Sequence, residues 1–162
     1  MSRSTTGGAA RPVVGYAPGA YDLFHVGHLN VLKHAAAHCD RLVVGVVSDE
    51  MLLLSKGRLP VVPLAERLEI VRNLRFVDDV HAEVVPEKID TWREVGFDVL
   101  FKGDDWRGTA KGDKLERDFA AVGVAVHYFP YTMHTSSTIL RKALASIDAQ
   151  EPVGRVARAL TS

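Results

Sequence analysis

Short apolar runs alternate with amphipathic stretches along the whole chain. Val13 to Ala17 is an apolar run between Pro12 and Pro18 and predicts a buried strand, with Gly19, Ala20, Tyr21 and Asp22 in the turn that follows. Val26, Leu29, Leu32 and Ala36 recur at helical spacing, so a helix is expected from near Gly27 to His38. Arg41 to Val47, with VVGVV at its heart, predicts a second buried strand. Ser48 and Asp49 offer a cap for a short helix through Leu54. Ser55 to Pro63 mixes Gly, Pro and basic residues and reads as a loop. Leu64, Leu68, Val71 and Leu74 form one stripe of a helix over Leu64–Leu74. Strands are then expected at Val80–Val85, Val99–Lys102 and Val124–Phe129, and helices at Ile89–Val95, Asp113–Val122 and Thr135–Ser146.

Strands that alternate with helices predict an α/β fold, a Rossmann-like doubly wound five-stranded parallel sheet with helices on both faces. Residues 13–146 would form this domain, after a disordered lead-in (1–12) and before a tail (147–162) with helical capacity. Such sheets bind ligands beyond the carboxyl ends of their strands. Gly19 to His28, Asp49, Gly103 to Trp106 and Tyr131 to Thr138 all fall there.

Composition narrows the function. The chain has 162 residues, enough for one real core. Lys plus Arg and Asp plus Glu number 20 each, a zero net charge that argues against general nucleic-acid binding but leaves room for a local phosphate pocket. Cys39 is the only cysteine, so neither an internal disulfide nor a cysteine zinc site is available. No apolar run approaches the roughly 20 residues of a membrane span. Met1 to Pro12 lacks the apolar core of a signal peptide, and a cytoplasmic protein is expected.

The sharpest chemical signal is His25-Val26-Gly27-His28, where the first strand leads into the first helix. Two histidines three apart share one helical face. Their ring N–H groups would join the free backbone N–H groups of the helix start in an anion site fit for a polyphosphate. Gly27 keeps that turn bare. In isolation the pair would read first as two surface histidines, and a metal pair is a lesser third reading, since no acidic or cysteine ligand set accompanies it.

The stretch from Gly19 to His28, GAYDLFHVGH, resembles the signature of the cytidylyltransferase family within the HxGH nucleotidylyltransferase superfamily. The resemblance runs from about Val13 to Leu144 and is nearest to the glycerol-3-phosphate cytidylyltransferases, on Gly103-Asp104-Asp105-Trp106, Lys56 and Glu66-Arg67. It implies CMP transfer from CTP to a small phosphorylated alcohol, with magnesium on the triphosphate and a homodimer whose contact includes Arg75 to Val80. It also implies that His25, His28 and Lys56 act in catalysis. Gly19, Ala20, Tyr21, Gly27, Gly103, Asp104, Asp105, Trp106, Thr132, Ser136, Ser137 and Thr138 would bind the nucleotide. Asp22, Asp49, Arg67 and Arg75 would lie near the acceptor, with Asp22 orienting the site or the magnesium ion.

Each carried-over residue also has a plainer reading. Lys56 could be a solvated loop charge, and Arg67 and Arg75 could pair with Glu66, Glu69 or Asp78. Asp104-Asp105 could be a turn, Trp106 core, and Thr135 to Thr138 a helix N-cap. The chain also departs from the family pattern. Tyr131 stands where the last motif has a phosphate-clamping Arg, His134 replaces Gly, Thr135 replaces Ile, and Ala20 stands where near relatives have Thr. Arg141, His134 and Lys142 are candidates to restore the lost charge. An ATP-dependent adenylyltransferase and a non-catalytic nucleotide-binding module therefore stay open beside the cytidylyltransferase.

Overall fold

The computed structural model describes residues 10–130 and 135–150. Five strands, β1 (Val14–Gly19), β2 (Arg41–Val47), β3 (Asp79–Glu83), β4 (Val99–Gly103) and β5 (Ala125–Phe129), form one sheet in the order β3-β2-β1-β4-β5. Every pairing is parallel. The helices are α1 (Val26–Ala36), α2 (Asp49–Lys56), α3 (Leu64–Arg72), α4 (Lys88–Val95), α5 (Ala110–Ala120) and α6 (Ser137–Gln150). A single 3-10 turn, Asp104–Trp106, follows β4.

Alternation along the strands divides the core in two. Ala17, Leu42, Val44, Val46, Phe101 and Phe129 pack with Leu32 and Ala35 of α1 and Val71 of α3. Tyr16, Val43 and Leu100 face the other way, onto Leu115 and Phe119 of α5 and the partly buried Ile89 and Trp92 of α4. With both faces covered, β2 has to be apolar throughout, which is why VVGVV does not alternate. Gly45 interrupts that run for a steric reason: a Cβ there would lie 1.9 Å from the Tyr16 hydroxyl, which crosses β2 to reach Glu83 on β3.

The chain leaves β1 toward β2 on one side and reaches β4 on the other, so the β1/β4 border is the topological switch point. The sheet parts there. β1 pairs with β4 only at Gly15↔Val99 and Tyr16↔Leu100, whereas β1 follows β2 as far as Gly19↔Val46 and β4 follows β5 as far as Gly103↔Phe129.

Several boundaries differ from expectation. β1 runs on through Pro18 and Gly19, and Pro18 lies beyond the last β4 pair, where its missing N–H costs no hydrogen bond to that strand. α2 continues through Ser55 to Lys56 and is stopped by Gly57 in the left-handed conformation (φ 69°), so Lys56 ends a helix rather than riding in a loop. α5 starts at Ala110 because Thr109 caps it. α6 starts at Ser137 and runs across the expected 146/147 boundary to Gln150. The lead-in before Ala10 and the tail after Gln150 lie outside the described residues. Phe76 and Val77, expected at a dimer contact, pack against the chain's own core.

Candidate active site

The loop from β1 to α1 is strained and held in place by packing. Tyr21 (φ 53°) and Leu23 (φ 51°) both adopt the left-handed conformation, which is costly for side chains of this size. The Tyr21 hydroxyl donates to the Ala17 carbonyl at 2.9 Å, and its ring lies where a side chain at Gly19 would be, 2.9 Å from a Cβ built there. Tyr21 is thus buried in the core, a correction to its expected place in the nucleotide pocket. Its ring supports His28 edge-on, with centroids 5.4 Å apart.

His25 is the N-cap of α1, and the two motif histidines complete a reciprocal cap. The Gly27 N–H donates to His25 Nδ1 at 3.2 Å, and the His25 N–H donates to His28 Nδ1 at 3.4 Å. A backbone N–H can only donate, so each Nδ1 carries its lone pair and each ring proton sits on Nε2. This amends the expected anion site. The backbone N–H groups of His25 and Gly27 are occupied, while that of Val26 and the two Nε2–H groups have no hydrogen bond among the described residues. The ring centroids are 4.0 Å apart, and His25 Nε2 is buried with no hydrogen-bond partner among the described residues. Burial lowers the pKa of His25. Burial takes His28 down to about 3, His25, Lys56 and Arg141 push the same way, and Asp22 opposes them. Both imidazoles are therefore neutral hydrogen-bond donors at pH 7.

Asp22 and Arg67 frame the site. The Asp22 carboxylate, 2 % exposed as a residue, accepts the N–H groups of Val61 and Val62 at 2.9 Å each and Arg141 Nη1 at 3.2 Å. The Asp22 carbonyl accepts the Ser137 hydroxyl at 2.7 Å. Arg67 is fully buried and donates to the carbonyls of Val62, Ala20 and Val47 and to Asp49 Oδ1, at 2.5–2.8 Å. A buried guanidinium surrounded by four acceptors cannot also reach a substrate, so the acceptor-binding expectation for Arg67 is corrected, and Asp49 is engaged as its partner. Asp22 is likewise engaged, by three N–H donors.

The remaining expected residues separate. Lys56 ends α2 among cations: partial burial, then Arg58, Arg141 and Lys111, lower its pKa. Gly103 closes β4 at the sheet opening, and Asp104 and Asp105 are exposed in the turn after it. The Trp106 ring lies under Lys102, whose Nζ is 3.9 Å from the ring centroid. Ser136 accepts the Ile139 N–H and caps α6, Ser137 is spent on Asp22, and Thr138 is exposed. Arg75 sits in the α3–β3 connection, at the amino ends of the strands and so opposite His25, which removes it from the site. Thr132 and Tyr131 lie outside the described residues.

Arg141, one of the candidates for the lost charge, and Lys102, which was not among the expected residues, stand close in. Arg141 shares a helical face with Ser137, and that spacing of four, which could have been read in the sequence, lets both grip Asp22. Lys102 is the lone cation of strand β4, and being in a short apolar run was its only signal.

The profile of the "Cytidylyltransferase-like" family matches residues 16–143. The chain belongs to the cytidylyltransferase-like family. This places it in the HxGH nucleotidylyltransferase superfamily, as the His25–His28 motif indicates. It is 41% identical over 101 residues to an ethanolamine-phosphate cytidylyltransferase from Arabidopsis thaliana, covering 59% of this chain and 24% of that protein. It is 43% identical over 115 residues to an FAD synthase from Thermococcus kodakarensis, covering 70% of this chain and 76% of that one. The chain thus spans about a quarter of the cytidylyltransferase and about three quarters of the FAD synthase. Among solved structures, a lipopolysaccharide core biosynthesis protein from Thermoplasma volcanium superposes with a TM-score of 0.64 at 23% identity, over 77% of this chain and all of that one, a likeness of fold. No helix among the described residues is long and apolar enough to cross a membrane.

Proposed function

We propose that the chain transfers a nucleoside monophosphate from a nucleoside triphosphate to a small phosphorylated acceptor. The observation that carries this reading is the unpartnered, buried Nε2–H of His25, set beside the Nε2–H of His28 by the reciprocal cap. A buried donor without an acceptor is costly, and a phosphate oxygen satisfies it. An oxygen of the acceptor's phosphate attacks the α-phosphorus in line, the bond from that phosphorus to the bridging oxygen breaks, and pyrophosphate leaves with the bonding pair. The two imidazoles donate to the oxygens that gain charge and take no proton, so the protein needs no nucleophile. Arg141 and Lys56 stand beside His28 as the nearest cations, in keeping with a family site whose usual Arg is Tyr131 here.

The nucleotide we favour is CTP, with glycerol 3-phosphate or a related polyol phosphate as acceptor. The Gly103–Trp106 sequence and the likeness to a cytidylyltransferase support this choice. Likeness to FAD synthases over most of their length supports ATP as the rival, since an FAD synthase makes an adenylyl-bearing product. Asp22 is a poor metal ligand as it stands, because three N–H donors already take most of its acceptor sites. A magnesium ion would instead offset the negative charge of the triphosphate. Pyrophosphate release, measured with CTP and ATP separately against polyol phosphates, sugar phosphates and flavin mononucleotide, tests the reading. Release with CTP and a polyol phosphate is expected; release only with ATP transfers the assignment to an adenylyltransferase, and CTP binding without any release to a binding module.

A further inference from the structure

The proposed reaction brings two anions together, the triphosphate and the acceptor's phosphate, and the site described so far accounts for one. His25, His28, Arg141 and Lys56 gather where β1 enters α1. Across the sheet opening, Lys102 belongs to the stretch of β4 that has left β1 and still pairs with β5, opposite Tyr128. Strand alternation turns Phe101 toward the α1 face, so Lys102 shares the α4/α5 face with Leu100. Arg141 and Lys56 on one side and Lys102 on the other therefore straddle the opening.

The surroundings of Lys102 leave its charge unanswered. Among the described residues Nζ has no hydrogen bond or ion pair, only the Trp106 ring at 3.9 Å. Glu83, the buried acid on that face, is consumed on both oxygens: Tyr16 donates to Oε1 at 2.7 Å, and the Lys88 ammonium donates to Oε2. The charges that Lys102 feels are Lys88, Glu83, Asp105 and Lys56. Burial, then Lys88, hold its pKa down to about 7, with Glu83 and Asp105 opposing and Lys56 assisting. An ammonium held on an indole, next to a neutralised acid, is stabilised by a bound phosphate dianion.

We propose that Lys102 recognises the phosphate of the acceptor, on the far side of the β1/β4 opening from the histidines. The assignment rests on the nucleotidyl-transfer reading, but its test needs no turnover. The two indole N–H resonances of the ¹⁵N-labelled protein are followed while inorganic phosphate, glycerol 3-phosphate and CTP are added in turn. Trp106 reports on Lys102, and Trp92, whose indole donates to the Phe97 carbonyl, reports on the fold. Both phosphates are expected to shift the Trp106 signal saturably. Lys102→Met should weaken their binding about tenfold or more and leave CTP binding within about twofold, while Lys102→Arg retains phosphate binding. In the wild-type protein, the affinity for glycerol 3-phosphate should also fall between about pH 7.5 and 9, where this phosphate monoester stays a dianion and the Lys102 ammonium is being lost. No Trp106 shift, unchanged phosphate binding in Lys102→Met, or a loss confined to CTP overturns the assignment, and the last result moves Lys102 to the triphosphate. Absent pyrophosphate release with phosphate binding intact would count against the reaction and leave Lys102 standing.

Discussion

His25 and His28 divide their two ring nitrogens between two tasks. Each Nδ1 finishes the helix cap, and that bond fixes the proton on Nε2, where a phosphate can use it. The motif is thus a local structure and a donor pair at once. Replacing His28 with Asn should lower turnover by about 10²–10³-fold, the usual effect of losing one donor to a charge-developing oxygen. The far-ultraviolet circular dichroism should be unchanged, because the Asn side-chain oxygen can accept the His25 N–H that His28 Nδ1 accepts now. Near-normal turnover would mean that the ring does not touch the reacting phosphate. Both imidazoles are neutral in the free enzyme, so kcat/KM should also show no limb from them between about pH 6 and 7. A histidine limb there would show that the ring acts as a cation.

At the scale of elements, the site is a junction that Arg67 and Asp22 hold together. Arg67 ties the ends of β1 and β2 to the loop before α3, and Asp22 ties the β1–α1 loop to that same loop and to α6. Arg67→Met would strand three carbonyls and Asp49, at a cost of about 3–5 kcal/mol by comparison with broken buried ion pairs. Urea denaturation should register that loss; a change below about 1 kcal/mol would mean that water replaces the guanidinium. Ser137→Ala removes one neutral hydrogen bond and should cost about 1 kcal/mol, with faster amide exchange in the first turns of α6. The sequence disclosed these elements unevenly. The apolar run from Leu42 to Val47, bounded by Asp40 and Ser48, could only be a covered strand, and HVGH at a strand-to-helix turn pointed to phosphate. Arg67 could not be read correctly, because what buries it is the convergence of carbonyls 20 and 47 positions away. A charged residue resembles a substrate ligand until such acceptors are seen. Pro18 was misread for a related reason: its place in β1 is tolerable because the sheet parts beside it, and that parting is a property of β4.

Across the whole molecule, the perturbed groups make stability depend on pH in a calculable direction. His25, His28 and His127 all have lowered pKa values, burial being the first cause in each. The unfolded chain therefore binds more protons below pH 6.5, and stability falls as the pH drops from there toward the folded value, about 3 for His28. Lys102 extends the same slope upward. Its folded value is about 7 against 10.5 for the free side chain, so stability rises with pH across that interval. Burial raises the Cys39 thiol above 9.0, and burial and the Glu83 carboxylate raise the Tyr16 phenol above 10.0, so ionisation of both in the unfolded chain turns the curve down again. Stability should therefore peak between about pH 9 and 10, well above the isoelectric point near 7.1. Urea midpoints measured from about pH 5 to 11 check this, and a maximum at or below pH 7 would contradict the lowered values of Lys102 and the histidines. Lys102→Met should flatten the limb between about pH 7 and 10 and leave the acid limb in place. A saturating phosphate ligand should flatten the same limb in the wild-type protein, because it returns the Lys102 ammonium to its ordinary range. Agreement between those two curves would tie the stability of the fold to the occupancy of the β1/β4 opening.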